Sequence, residues 1–180
     1  MGRATGSRVT GSRVLALAAL AGVLSGAPAL APPAAAQQPA DSCRAALAGV
    51  WLTTIRAEAG GGFASRSLLT LNADGTMLAT DSRQHSGVQG AGFSTQHGAW
   101  RCAGADAASA VTLNFGFPPR ETIARSDWTL SRQGEALAGR IVLRIAEGVE
   151  SVDPFATAFL AVPPVASFRF EAQRLAPPAN

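Results

Sequence analysis

The amino-acid sequence predicts an all-β domain, a single antiparallel up-and-down β-barrel of about eight strands, following an N-terminal signal peptide; a two-sheet β-sandwich is the alternative. Three observations point this way. Apolar residues recur with period two, the signature of a half-buried strand. Turn-forming residues separate the runs at short intervals. Helical periodicity is confined to one short stretch, Ser42–Leu47.

At the N-terminus, Arg3, Arg8 and Arg13 supply positive charge, and no acid precedes Asp41. An apolar run from Val14 to Leu24 follows, then a stretch rich in Ala, Pro and Gly. This order describes a secretory signal peptide. The apolar run is shorter than the roughly 20 residues a bilayer span requires. Ala34-Ala35-Ala36 before Gln37 fits the small-residue cleavage pattern, which divides the chain into a signal peptide, 1–36, and a β-barrel domain, 37–180. Ala27-Pro28-Ala29 and Ala29-Leu30-Ala31 fit the same pattern, and an uncleaved anchor is the alternative. The expected location is the periplasm or the exterior of a bacterial cell, with no integral membrane segment left after cleavage.

Cleavage changes the charge balance. The chain carries 15 basic and 12 acidic residues, a net +3. All three arginines of the signal leave, and every acidic residue stays, so the mature domain is formally neutral. A neutral domain lacks the basic footprint of a nucleic-acid binder, and none is expected as a partner. Two cysteines remain, Cys43 and Cys102. In an oxidising compartment an even pair most simply forms one disulfide, with two separate buried thiols as the alternative.

The strands centre on Trp51, Leu69, Leu78, Trp100, Leu113, Trp128, Ile141 and Phe168. Leu137, Gly139, Ile141, Leu143 and Ile145 alternate with Ala138, Arg140, Val142 and Arg144. Val111, Leu113, Phe115 and Phe117 repeat the pattern against Thr112 and Asn114, which predicts the apolar set inside. Phe168 and Phe170 alternate with Arg169 and Glu171, and Trp128 and Leu130 with Thr129 and Ser131. Asp74-Gly75 between two β-prone runs is a strong hairpin signal. Two longer connections stand out: Gln84–Thr95, rich in Gly and Ser, and Glu147–Pro164, with three prolines and an apolar patch, Phe155–Val162. Both read as surface loops, the second with room for one short extra strand. Closure into a barrel removes exposed strand edges and favours that form over the sandwich.

Leu47-Ala48-Gly49-Val50-Trp51 opens the first strand. Its Gly-x-Trp resembles the signature of the lipocalin and avidin group, the calycins. The resemblance implies that Trp51 closes one end of the barrel under an arginine from the last strand, Arg169 or Arg174, giving the structural set Gly49, Trp51 and Arg169. The stretch Ala73-Asp74-Gly75-Thr76, followed by His97-Gly98-Ala99-Trp100, also resembles uncharacterised secreted bacterial lipocalin-like proteins. A similar Leu-Ala-Gly-x-Trp start occurs in secreted bacterial protease inhibitors built on a small barrel with one disulfide.

No catalytic motif stands out. The two histidines, His85 and His97, with the cysteines expected to pair, fall short of a zinc ligand set, and neither metal nor cofactor is expected. There is no Gly-x-Ser-x-Gly elbow. The candidate ligand-pocket residues are His97, Trp100, Phe93, Trp128 and Phe115, each alternatively a core or strand-end residue. Three function classes follow: a barrel that binds a small apolar molecule, a scaffold that meets an unidentified protein as an inhibitor does, and a cyclase- or isomerase-type enzyme with His97, Asp81 or Asp127 in a cavity. For the protein recovered from its host, intact mass is expected to correspond to a chain beginning at Gln37; a mass retaining Met1–Leu24 would reject cleavage.

Overall fold

The computed structural model describes residues 38–85, 92–118 and 121–176. The segment expected to be a signal peptide, the middle of the Gly-rich connection at 86–91, residues 119–120 and the end of the C-terminal tail at 177–180 lie outside the described residues, as do the side chains of 38–41. Eight strands follow one another: β1 (Gly49–Ala57), β2 (Phe63–Leu71), β3 (Thr76–Asp81), β4 (Gln96–Cys102), β5 (Ala107–Phe115), β6 (Thr122–Gln133), β7 (Ala136–Glu147) and β8 (Ala166–Arg174). Each pairs antiparallel with the next, and β8 returns to β1, so the sheet closes as an up-and-down barrel, not a sandwich. Helix α1 (Gln38–Leu47) leads into β1 and extends further back than Ser42. The connection between β7 and β8 holds a short helix, α2 (Thr157–Ala161), where an extra strand was one expectation.

The two ends of the barrel differ. At one end the connections are short: the β2–β3 turn, the β4–β5 turn and the two-residue β6–β7 loop. The β2–β3 turn is built by Asp74, whose Oδ1 accepts from the Thr76 N–H at 2.7 Å and from its hydroxyl at 2.8 Å. These bonds hold the Asp74 carboxyl below the usual carboxylate range. Gly75 supplies the positive φ of +94° that the turn needs. Trp100 then ties the turn to β4, its backbone N–H donating to the Gly75 carbonyl and its Nε1 to the Asn72 carbonyl. The two segments Ala73–Thr76 and His97–Trp100 are therefore in direct contact.

Helix α1 plugs this short-looped end. Cys43 and Leu47 are fully buried against the barrel interior. The Cys43–Cys102 disulfide ties the helix to β4. Gly49, with φ +145°, swings the chain from helix into strand. Trp51 is fully buried, and its Nε1 donates to the Leu47 carbonyl at 3.0 Å. Over its ring, at 4.5 Å, lies the guanidinium of Arg174. Arg174 also donates to the carbonyls of Ala48 and Ala46, at the C-terminal end of α1, where a cation meets the negative pole of the helix. Arg169 does not take this place. It alternates with the inward Phe168 and Phe170, so it points outward, with its side chain 80% exposed beside Glu58.

The core packs this half of the barrel. Ala110 is the cross-strand partner of both Trp100 and Trp128, a small residue between two large ones. That size match decides the face of β5. Ala108, Ala110, Thr112 and Asn114 point inward and are buried. Val111, Leu113 and Phe115 point outward, the reverse of the expected assignment, and Phe115 is 47% exposed. A shift of one residue exchanges the two faces of a strand. Gly98 and Gly139 mark close backbone approach: a Cβ at Gly98 would stand 1.9 Å from the Val111 carbonyl oxygen, and one at Gly139 2.0 Å from that of Thr129.

The disulfide spans 59 residues of sequence. Replacing both cysteines by serine is expected to lower stability by about 4 kcal/mol in a urea melt, the chain-entropy value for a loop of that length. A loss under about 1 kcal/mol would show that α1 is held by Trp51 and Arg174 alone.

Candidate functional site

The opposite end is hollow. A cavity of about 910 Å³ lies between the ends of the strands joined by the longer connections. Its floor is Trp128, whose ring meets Phe170 edge-on at 5.6 Å. One wall is apolar, made by Ile55, Ile141, Leu143, Phe168 and Val165. The facing wall is polar, with Ser65, Asp81, Gln96, Asn114, Thr122 and Ser126. Arg83, Phe93, Ile145 and Glu147 stand at the mouth. Ile145, read from alternation as inward, is 37% exposed because β7 runs past the packed interior there.

The polar wall has an internal order. Trp128 Nε1 donates to Thr112 Oγ1 at 2.9 Å, and Thr112 Oγ1 donates to Gln96 Oε1 at 2.7 Å. The direction follows from chemistry. Indole nitrogen is only a donor, so the threonine oxygen accepts. Thr112 is 1% exposed, and Gln96 Oε1 is the acceptor its hydroxyl proton has among the described residues. Asp81 accepts the Ser65 hydroxyl at 2.7 Å and the Arg83 N–H at 2.7 Å. Asn114 and Ser126 are 7% and 3% exposed, line the cavity, and have no side-chain partner among the described residues.

Of the residues singled out in the sequence, the cavity unites Phe93 and Trp128. Trp100 is buried in the sealed half. His97 is exposed on the outer face, one step out of phase with Trp100, so the two could never share the interior. Phe115 lies outside with the rest of its row. Asp127 also faces outward, where it accepts from Arg125 at 2.7 Å and Arg144 at 3.0 Å. Those arginines in turn donate to the Pro154 and Val162 carbonyls and hold the β7–β8 connection against the barrel wall. Asp81 is the one of the three considered acid–base residues that faces the cavity. Gln96, Asn114 and Ser126 were not singled out, although counting by twos from Trp100 and Trp128 reaches Gln96 and Ser126. Among the described residues no cluster of three or more His, Cys, Asp and Glu could hold a metal ion.

Fold and site together define an eight-stranded, disulfide-bonded up-and-down β-barrel, sealed at one end and hollow at the other. Compared with known proteins, the chain matches no family model, no curated protein and no solved structure. Among the described residues no helix is long and apolar enough to cross a membrane.

Thr112→Val keeps the shape but leaves the buried Trp128 N–H unpaired. It is expected to cost about 1–3 kcal/mol in chemical denaturation, with Thr112→Ser much milder. Equal losses for both would remove the hydroxyl relay as a stabilising element.

Proposed function

We propose that this chain is a secreted or periplasmic calycin-like protein that binds a small, mostly apolar molecule in the hollow half of its barrel. The cavity carries this reading. Its volume of about 910 Å³ falls within the range of small-molecule sites, about 300–1,000 Å³, and its combination of an apolar wall with a few polar groups is typical of them. Protein interiors are otherwise packed to the density of organic crystals, whereas above Trp128 the inward side chains leave this space unfilled and open at the barrel mouth, as entry of a ligand requires. The Gly49, Trp51 and Arg174 arrangement supports the calycin affinity, with Arg174 in the role the resemblance assigns to an arginine of the last strand. The disulfide supports an oxidising compartment.

Exposed apolar side chains favour a second reading, a surface that meets another protein. Phe155 and Val165 in the β7–β8 connection are 61% and 56% exposed, and Phe63 at the start of β2 is 54% exposed. Such clusters mark interaction sites when they are contiguous.

Native mass spectrometry of the protein taken from its host separates the two. A reproducible extra mass that disappears on denaturation, and that is absent from Ala124→Phe, is the expected result for a cavity ligand. Ala124 is buried on the cavity wall, and a phenyl ring there occupies the space. A bare mass, together with co-purification of a protein that is lost on Phe155→Ser, would replace the ligand reading with the surface one.

A further inference from the structure

From the polar wall we infer the chemical class of the molecule, an inference that rests on the binding reading above: a neutral, mostly apolar compound whose polar end is a hydrogen-bond acceptor of the carbonyl type, received by Gln96 with Asn114 and Ser126 beside it. The relay sets the donor. Because Trp128 can only donate and the buried Thr112 hydroxyl must pass its proton on, Gln96 presents its oxygen to Thr112. Its amide nitrogen is left with two N–H groups and no partner among the described residues, on a side chain that lines the cavity. Flipping the amide would strand the Thr112 proton, so the donor end is held toward the ligand space.

Two further polar groups stand close by. Asn114 pairs with Ala124, and Ser126 with Thr112, so they sit one step apart on β5 and β6. Both are more than nine-tenths buried, line the cavity, and have no side-chain partner among the described residues. Neither is sealed from the cavity, since the one fully buried side-chain polar atom without a partner among the described residues is Ser67 Oγ. Their polar atoms are open to the ligand space, where a ligand oxygen can accept from them in place of water. The charges of the described lining argue against an anionic end: Asp81 and Glu147 stand there with one cation, Arg83, so a carboxylate would add a third negative charge. For an amine, Asp81 is a competed receptor, since each of its oxygens already accepts a hydrogen bond, from Ser65 and from the Arg83 N–H. The apolar wall, from Ile55 through Phe168 to Leu143, takes the hydrocarbon body.

Calorimetric titration of the mature protein with four eleven-carbon probes that differ only in their ends tests this: methyl nonyl ketone, undecanol, undecylamine and undecanoate. The ketone is expected to bind at least about tenfold more tightly than undecanoate or undecylamine, a difference on the scale of one well-made hydrogen bond plus an unfavourable charge. Gln96→Met should remove most of that preference while leaving undecanol binding within about threefold. Because Gln96→Met also takes the acceptor from Thr112, Asn114→Leu serves as a second variant that leaves the relay intact and should weaken the ketone alone. Four probes bound with equal strength, a preference for either ion, or a ketone preference that survives both variants would overturn the head-group inference and leave the cavity as a binding site. Failure of every probe to bind would overturn the binding reading along with it.

Discussion

Closure of β1 against β8 is the constraint on which the rest of the molecule depends. An open eight-stranded sheet would leave two unpaired edges, and closing it satisfies both. The join runs from Ala57 opposite Phe168 to Trp51 opposite Arg174. At that last pair two functions coincide. Arg174 completes the ladder as the cross-strand partner of Trp51, and its guanidinium covers the indole while reaching the end carbonyls of α1. Sheet, helix and first tryptophan thus meet in one cation, which explains why Gly49 must lie beside it: a Cβ there would stand 2.9 Å from Arg174 Nη1, and the φ of +145° suits only glycine.

Closure also divides the interior into two unequal halves. In the sealed half, three tryptophans, Leu69, Leu71, Met77 and Leu137 exclude water and supply most of the hydrophobic stabilisation. The alanines of β5 make room for the tryptophan rings. In the hollow half, the same inward rows carry Ser65, Asn114 and Ser126 in place of large apolar residues. Stability drawn from one half permits a void in the other. Trp128 belongs to both, packed on Phe170 below and setting the direction of the hydroxyl relay above.

The outer surface serves the hollow end. Arg125, Asp127 and Arg144 form a charged strip on β6 and β7 that holds the long β7–β8 connection by its carbonyls, and Arg125 lies 5.5 Å from the Phe155 ring. Phe159 of α2 is buried beneath the same connection. Farther round the barrel, Arg140 reaches across to Glu58, and its hydrogen bonds hold that carboxyl below the usual range. The rim that frames the cavity is therefore fastened from outside by paired charges, while the loop near Phe93 is fastened by the Phe93 N–H donating to the Gln84 carbonyl and by the Ser94 N–H donating to the Phe115 carbonyl, with the Phe115 N–H donating back to the Ser94 hydroxyl.

Local chemistry settled much of this before any tertiary contact was known. Period-two alternation marked β5, β6, β7 and β8, because successive side chains of a strand point to opposite faces, and turn residues between β-prone runs marked the rest. Asp74-Gly75 marked its hairpin, because few residues accept that backbone, and an even pair of cysteines in a chain expected to be exported implied their pairing. What alternation cannot do is choose which face of a strand is inside when both are plausible. On β5 the apolar row Val111, Leu113 and Phe115 lost the interior to Ala108, Ala110, Thr112 and Asn114, because Trp100 and Trp128 left room only for small side chains. The same blindness to neighbours put Arg169 in place of Arg174 and His97 beside Trp100, although parity with Phe170 and Trp100 excluded both. The polar wall was legible only in three dimensions. Gln96, Thr112 and Trp128 come from three strands, and the direction of their hydrogen bonds depends on burial that only the closed barrel creates.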